Sequence, residues 1–132
     1  MSGIADVVTM TANPANVGRY FSIWLDMSTP SGARNGYELR FANTAAGLYT
    51  ATLSKWVEGA QTSLGSKSSF ALANGNSVAL VDQGSSVTAW VDTGSGFTQA
   101  LGATDSAFSS GKTGVEGAGN LTRLKSFKAG SL

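Results

Sequence analysis

The chain has 132 residues, among them 17 glycines and 2 prolines, and it has no cysteine and no histidine. Nine Lys/Arg against eight Asp/Glu leave a net charge of +1, and only 13% of residues are charged, against roughly 25% in an average soluble domain. These counts exclude a disulfide framework and thiolate metal sites. They remove the commonest general base and transition-metal ligand and leave no basic cluster to displace counterions from a nucleic acid. The longest apolar runs, such as Val78-Ala79-Leu80-Val81, fall far short of the ~20 residues of a membrane-spanning helix. Neither nucleic acid nor membrane is expected as a partner. The length predicts one domain over residues 1–132, large enough to bury a core without staples. Met1 to Asp6 lacks a basic and an apolar leader region, which predicts no signal peptide.

The apolar periodicity is 2 rather than 3.6, and runs rich in Val, Thr, Phe, Tyr and Trp alternate with turn residues. The first run, Ile4 to Ala12, closes at Asn13-Pro14. The second, Arg19 to Ser28, closes at Thr29-Pro30-Ser31-Gly32, where proline is tolerated because it has no ladder donor to lose. Asn35-Gly36 opens Tyr37 to Asn43, and Ala45-Ala46-Gly47 leads to Leu48 to Val57. Glu58-Gly59-Ala60 turns into Gln61 to Leu64, and Asn74-Gly75-Asn76 precedes Ser77 to Val81. Asp82 to Ser85 turns into Ser86 to Asp92, and Thr93-Gly94-Ser95-Gly96 into Phe97 to Leu101. Thr113 to Glu116 and Asn120 to Lys128 close the chain. The pattern predicts an all-β fold, an antiparallel β-sandwich of the jelly-roll kind with about ten strands.

Alternation also assigns faces. Phe21, Ile23, Leu25 and Met27 share one side of their strand, and Tyr37, Leu39 and Phe41 share one side of the next. All three tryptophans then fall on the polar sides, each two residues after a hydroxyl and two before an acid: Ser22-x-Trp24-x-Asp26, Ser54-x-Trp56-x-Glu58 and Thr88-x-Trp90-x-Asp92. An indole on a polar sheet face suits stacking against the C–H face of a sugar, with neighbouring hydroxyls and acids bonding the sugar hydroxyls. Trp24, Trp56, Trp90, Arg40 and Asp92 are therefore the candidate residues for carbohydrate or partner binding, and Lys55 could add a donor. The same pattern also fits a second packed layer on the sheet, since indoles cover large areas, or a protein interface.

Other constellations are absent. The chain has no Gly-x-Ser-x-Gly elbow, phosphate loop or dinucleotide fingerprint. Its eight acids are scattered singly, and no two stand at i, i+2 as a hydrolytic carboxylate pair could. Calcium could use loop oxygens, which Asp82, Asp92, Asp105 and Asn120 offer. No spacing gathers them into a cage, so none is read as a metal ligand and no cofactor is expected. Arg123, Lys125 and Lys128 read as a solvated edge that discourages aggregation.

Gly36-Tyr37-Glu38-Leu39-Arg40-Phe41 follows an apolar-aromatic strand, and Tyr49 to Trp56, Asn76 to Asp82 and Ser86 to Asp92 succeed it. With the closing segments Gly114-Val115-Glu116 and Leu124 to Gly130, this order resembles concanavalin A-like lectin/glucanase domains, particularly the laminin-G-like group. The resemblance covers most of residues 18–130. Where the family often has an Asp-Gly turn, Thr93 separates Asp92 from Gly94. The Glu-x-Asp-x-(x)-Glu strand of the family's glucanases is missing, so the resemblance implies a module that is not an enzyme. Relative to the family the chain looks N-terminally shortened, as a fragment or a domain completed by a neighbouring subunit would be. The Ser/Thr/Gly/Ala-rich style resembles laminin-G-like modules of bacteriophage minor tail and other virion proteins. That likeness implies a structural and adhesive role at the virion surface. Host-surface or cell-wall glycans and other virion subunits, in an oligomer, would be its partners. The alternatives are a carbohydrate-binding accessory domain of a secreted, extracellular bacterial protein and, third, a glycoside hydrolase or lyase.

Overall fold

The alternating segments form ten strands, and no α-helix occurs among residues 4–10, 18–29, 32–73, 75–118 and 124–131, which a computed structural model describes. The strands are β1 (Ile4–Met10), β2 (Tyr20–Ser28), β3 (Asn35–Ala45), β4 (Leu48–Val57) and β5 (Ala60–Ala71), followed by β6 (Ser77–Asp82), β7 (Ser86–Asp92), β8 (Phe97–Thr104), β9 (Lys112–Ala118) and β10 (Leu124–Ser131). They assemble into two five-stranded sheets, β5-β4-β3-β2-β9 and β10-β1-β6-β7-β8. Every pairing is antiparallel. β5 meets β8, and β2 meets β6 and β1, across the space between the sheets. The β-sandwich expected from the alternation is the fold observed.

The core lies where the alternation places it. Phe21, Ile23 and Leu25 of β2, Tyr37, Leu39 and Phe41 of β3, and Ala51 and Leu53 of β4 face Val78 and Leu80 of β6 and Val87, Ala89 and Val91 of β7. Each fully buried large side chain among them contributes about 1.5–3 kcal/mol of transfer free energy. Phe21 stacks on Phe41 with ring centroids 5.1 Å apart, and Phe70 meets Phe41 edge-on at 6.1 Å.

Three differences from the expected strand plan have physical causes. β5 runs to Ala71, well beyond Leu64, yet nearly all of its residues are exposed or only half-buried. It is an edge strand that buries little, so the stretch Gly65-Ser66-Lys67-Ser68-Ser69 carries no apolar period although its backbone pairs with β4. Val57, on the same side of β4 as the buried Ala51 and Leu53, is 45% exposed because it lies one residue beyond the last pairing with β3. The last two strands return to the first two, β9 beside β2 and β10 beside β1, an order that short-range turn signals do not encode. The Asn13-Pro14 turn, Asn120 and Arg123 lie outside the described residues.

A bulge at the end of β2 shapes its surroundings. The register with β3 shifts between Leu25 and Ser28, and that with β9 between Trp24 and Met27. The displaced strand crowds Gly36, whose φ is +135° and whose missing Cβ would stand 2.8 Å from the Leu25 carbonyl oxygen and 3.0 Å from the Met27 Cα. Both neighbours are backbone and cannot swing away. Gly36→Ala is therefore expected to cost about 2 kcal/mol, combining backbone strain with the clash. The midpoint of urea unfolding measures it; a midpoint within error of the parent's contradicts the assignment.

Candidate functional site

The outer face of the β5-β4-β3-β2-β9 sheet concentrates charge in a chain that has little of it. Cross-strand register aligns Ser22 with Arg40, Trp24 with Glu38, and Glu38 with Ser54. It also sets each of the two tryptophans opposite a glycine, Trp24 against Gly114 and Trp56 against Gly36. The two rings meet with centroids 5.9 Å apart.

Two glutamates organise this face. Glu38 is fully buried. Its Oε1 accepts from the Ser22 hydroxyl at 2.6 Å and from Arg40 Nε at 2.8 Å, and its Oε2 accepts from Trp56 Nε1 at 2.8 Å. Glu116 Oε1 accepts from the Tyr20 hydroxyl at 3.0 Å, and its Oε2 accepts from Trp24 Nε1 at 3.2 Å and Arg34 at 3.4 Å. The bond to Glu116 holds the Tyr20 phenol above the ordinary tyrosine range, so it stays a neutral donor. The two arginines lie over aromatic faces, Arg40 4.0 Å from the Tyr20 ring centroid and Arg34 5.2 Å from that of Trp24. Such stacking fixes a guanidinium in orientation. Arg40 uses only Nε on a described protein group. Beside the network a groove of about 300 Å³ is lined by Trp24, Met27, Arg34, Gly114 and Glu116.

The expected site residues separate into three groups. Trp24, Trp56 and Arg40 come together on this face. Trp24 is nevertheless only 2% exposed, enclosed by Arg34 and Trp56, so it is a support for the face and not a stacking platform. The open aromatic surface belongs to Trp56 and Tyr20, both half-buried. Trp90 lies on the other sheet, where its Nε1 donates to Thr88 Oγ1 at 2.9 Å. Asp92, on the same strand, is engaged in a turn, accepting from the backbone N–H of Gly94 at 2.7 Å and of Gly96 at 3.1 Å. Neither can join the Trp24–Trp56 face.

Two further expectations are corrected. Asp26 does not stand beside Trp24. It takes a left-handed φ of +52° in the bulge, which turns it inward to Asp82 of β6. Lys55 points into the sandwich, where its Nζ donates to Asp105 Oδ2 at 2.6 Å. Asp105 Oδ1 accepts from the buried Tyr37 hydroxyl at 2.6 Å, and burial together with this bond pushes the Tyr37 phenol far up.

Glu38, Glu116 and Tyr20 were not among the sequence candidates. The available signal was Glu38 and Arg40 sharing one strand face, opposite a strand that carries Tyr20, Ser22 and Trp24. Glu116 has no local signal, since 92 positions separate it from Trp24. Among the described residues no group of three or more acidic side chains is gathered to hold a metal ion.

No family model matches the chain, and none of the curated proteins does. Solved structures share its fold. A carbohydrate binding module, CBM66 from Bacillus subtilis, superposes with a TM-score of 0.64 at 16% identity, over 97% of this chain and 73% of the other. The GH43 protein BlXynB from Bacillus licheniformis gives a TM-score of 0.58 at 15% identity, over 92% of this chain and 25% of the other. Its K247S mutant gives 0.53 at 17%, over 96% and 23%. The chain thus corresponds to about a quarter of the GH43 protein's length.

Proposed function

We propose that this sandwich is a non-catalytic carbohydrate-binding module, with the outer face of the β5-β4-β3-β2-β9 sheet as its binding surface. The observation that carries the reading is the network around Glu38 and Glu116, which holds two indoles, a phenol and two guanidinium groups in fixed positions on one sheet face. Sugars present apolar C–H faces and rings of hydroxyls. Half-buried aromatic rings take the first, and the terminal nitrogens of Arg40, which bond no other described residue, take the second together with the remaining lone pairs of Glu116. Structural likeness to a carbohydrate binding module supports the same reading.

Hydrolysis of a glycoside needs two carboxyl groups that both reach the scissile bond. Glu38 is fully buried beneath its three donors and reaches none, which favours binding over hydrolysis. A virion surface, suggested by the resemblance to phage modules, and an extracellular accessory role are alternative settings for one glycan-facing surface.

Titration calorimetry against a panel of cell-wall and storage oligosaccharides tests the proposal. A binder should emerge, with its affinity lowered at least about tenfold by Arg40→Ala or Trp56→Ala, equivalent to 1.4 kcal/mol or more. Trp90→Ala, on the opposite sheet, should leave affinity unchanged. Binding that tracks Trp90 and ignores Arg40 would move the site elsewhere.

A further inference from the structure

The β2 bulge brings two acids together between the sheets. Asp26 from one sheet and Asp82 from the other are 2% and 5% exposed, on strands β2 and β6 that meet between the sheets, and after burial itself the Asp82 carboxyl is the neighbour that raises that of Asp26. Asp82 Oδ1 accepts from the Gly84 N–H at 2.7 Å, whereas Asp26 Oδ2 is buried with no hydrogen-bond donor. The charged and titratable groups of the surrounding elements are engaged or turned away. Tyr37 of β3 and Lys55 of β4 are both held by Asp105, and Lys112, beside Met27 on β9, is exposed. No ion pair reaches Asp26 or Asp82 among the described residues. Two adjacent buried carboxylates without a counter-charge cannot both stay ionised.

We propose that Asp26 and Asp82 hold one proton between them, forming a pH-sensitive latch that ties the two sheets together at the bulge carrying Met27. The proton turns one acid into a donor. It satisfies the orphaned oxygen and replaces repulsion by a hydrogen bond across the sheet boundary. Burial, then the bond to Asp82, pushes the Asp26 carboxyl up to about 7, which places the release of the latch near neutrality. Met27 lines the groove beside Trp24, so the latch also sets one wall of the candidate site. The inference does not depend on what that site binds.

A carboxyl whose folded-state pKa is raised stabilises fully below its unfolded value, and that stabilisation is lost as pH rises through the folded one. The melting temperature of the parent protein should therefore fall between pH 5.5 and 8.5, by on the order of 5 °C or more. Asp26→Asn, whose amide can donate to Asp82 at any pH, should flatten this dependence and melt higher than the parent at pH 8.5. Asp82→Asn should behave alike and serves if the first variant does not fold. Carboxyl carbon NMR of the parent decides in any case: one aspartate must titrate near 7. A parent melting temperature that is constant or rises with pH overturns the latch. So does a full slope retained in a folded variant, or aspartates that all titrate in the ordinary range. Recovery of the parent's stability at pH 8.5 by millimolar calcium chloride would assign the pair to a cation instead and equally overturn it.

Discussion

Glu38→Ala is expected to remove about 4 kcal/mol of stability, the scale of breaking a buried ion pair by deleting one partner. The side chain is 1% exposed, and its loss strands three donors at once: the Ser22 hydroxyl, the Arg40 Nε and the Trp56 Nε1. A buried donor left without an acceptor costs about 1–3 kcal/mol, in full for Ser22 and with partial relief for the half-buried Arg40 and Trp56, which can turn toward solvent. For a protein of ordinary stability, about 5–15 kcal/mol, the variant would stand near unfolding at room temperature. Glu38→Gln should cost roughly half as much, because the amide keeps one acceptor oxygen but turns an NH2 group toward the remaining donors. Chemical denaturation measures both. The near-ultraviolet circular dichroism of the Trp24–Trp56 pair should weaken in parallel, since Glu38 fixes one indole and Glu116 the other. An alanine variant that loses less than 1 kcal/mol would show that Glu38 does not organise the face. Oligosaccharide affinity should fall together with stability here, whereas Trp56→Ala should lower affinity with a smaller stability cost.

The same residues show how far sequence reasoning reaches. Period-2 alternation places Phe21, Ile23 and Leu25 inside and Trp24 outside, because both follow from chain geometry within one strand. It cannot rank exposure on the outer face. Trp24 is covered because β2 is an interior strand, with Arg34 and Trp56 arriving from segments that alternation treats separately. Nor can it say which strands are neighbours. The three Ser/Thr-x-Trp-x-acid repeats look equivalent, yet the sheet order sends Trp90 to the opposite side of the molecule from Trp24 and Trp56. The acid of each repeat fails for a further local reason. The bulge at Asp26 inverts the face of one residue, as an extra residue in a strand does. Glu58 begins a turn with φ +49°, and Asp92 caps one. Glu116 enters the face only because β9 returns beside β2, so its role is set by topology alone. Local pattern therefore supplied two of the three aromatic anchors and Arg40, but neither glutamate that holds them.

Asp105→Ala is expected to cost about 3 kcal/mol, and its effect on pH dependence should oppose that of Asp26. The loop residue Asp105 joins two strands of the far sheet, binding Lys55 of β4 at 2.6 Å and Tyr37 of β3 at 2.6 Å. The backbone N–H of Ala107 also donates to it, at 2.9 Å. Deleting the carboxylate leaves a half-buried ammonium and a buried phenol without their acceptor. Although burial alone would raise the Asp105 carboxyl, the bonds from Lys55 and Tyr37 outweigh it and hold the group below the ordinary aspartate range. Its stabilisation is therefore present above the unfolded value and lost as pH falls through the lowered one. The Asp26–Asp82 latch loses its stabilisation in the other direction, as pH rises toward 7. Both contributions are whole only near the unfolded aspartate value, so together they predict greatest stability around pH 4, with a decline on both flanks. Asp105→Asn should flatten the acid flank and leave the neutral flank intact, while Asp26→Asn should do the reverse. Melting temperatures at half-unit intervals from pH 3 to 9 separate the two. A parent protein most stable above pH 8 would contradict the opposed pair, because it would require Asp26 to lie ionised between the sheets at no cost.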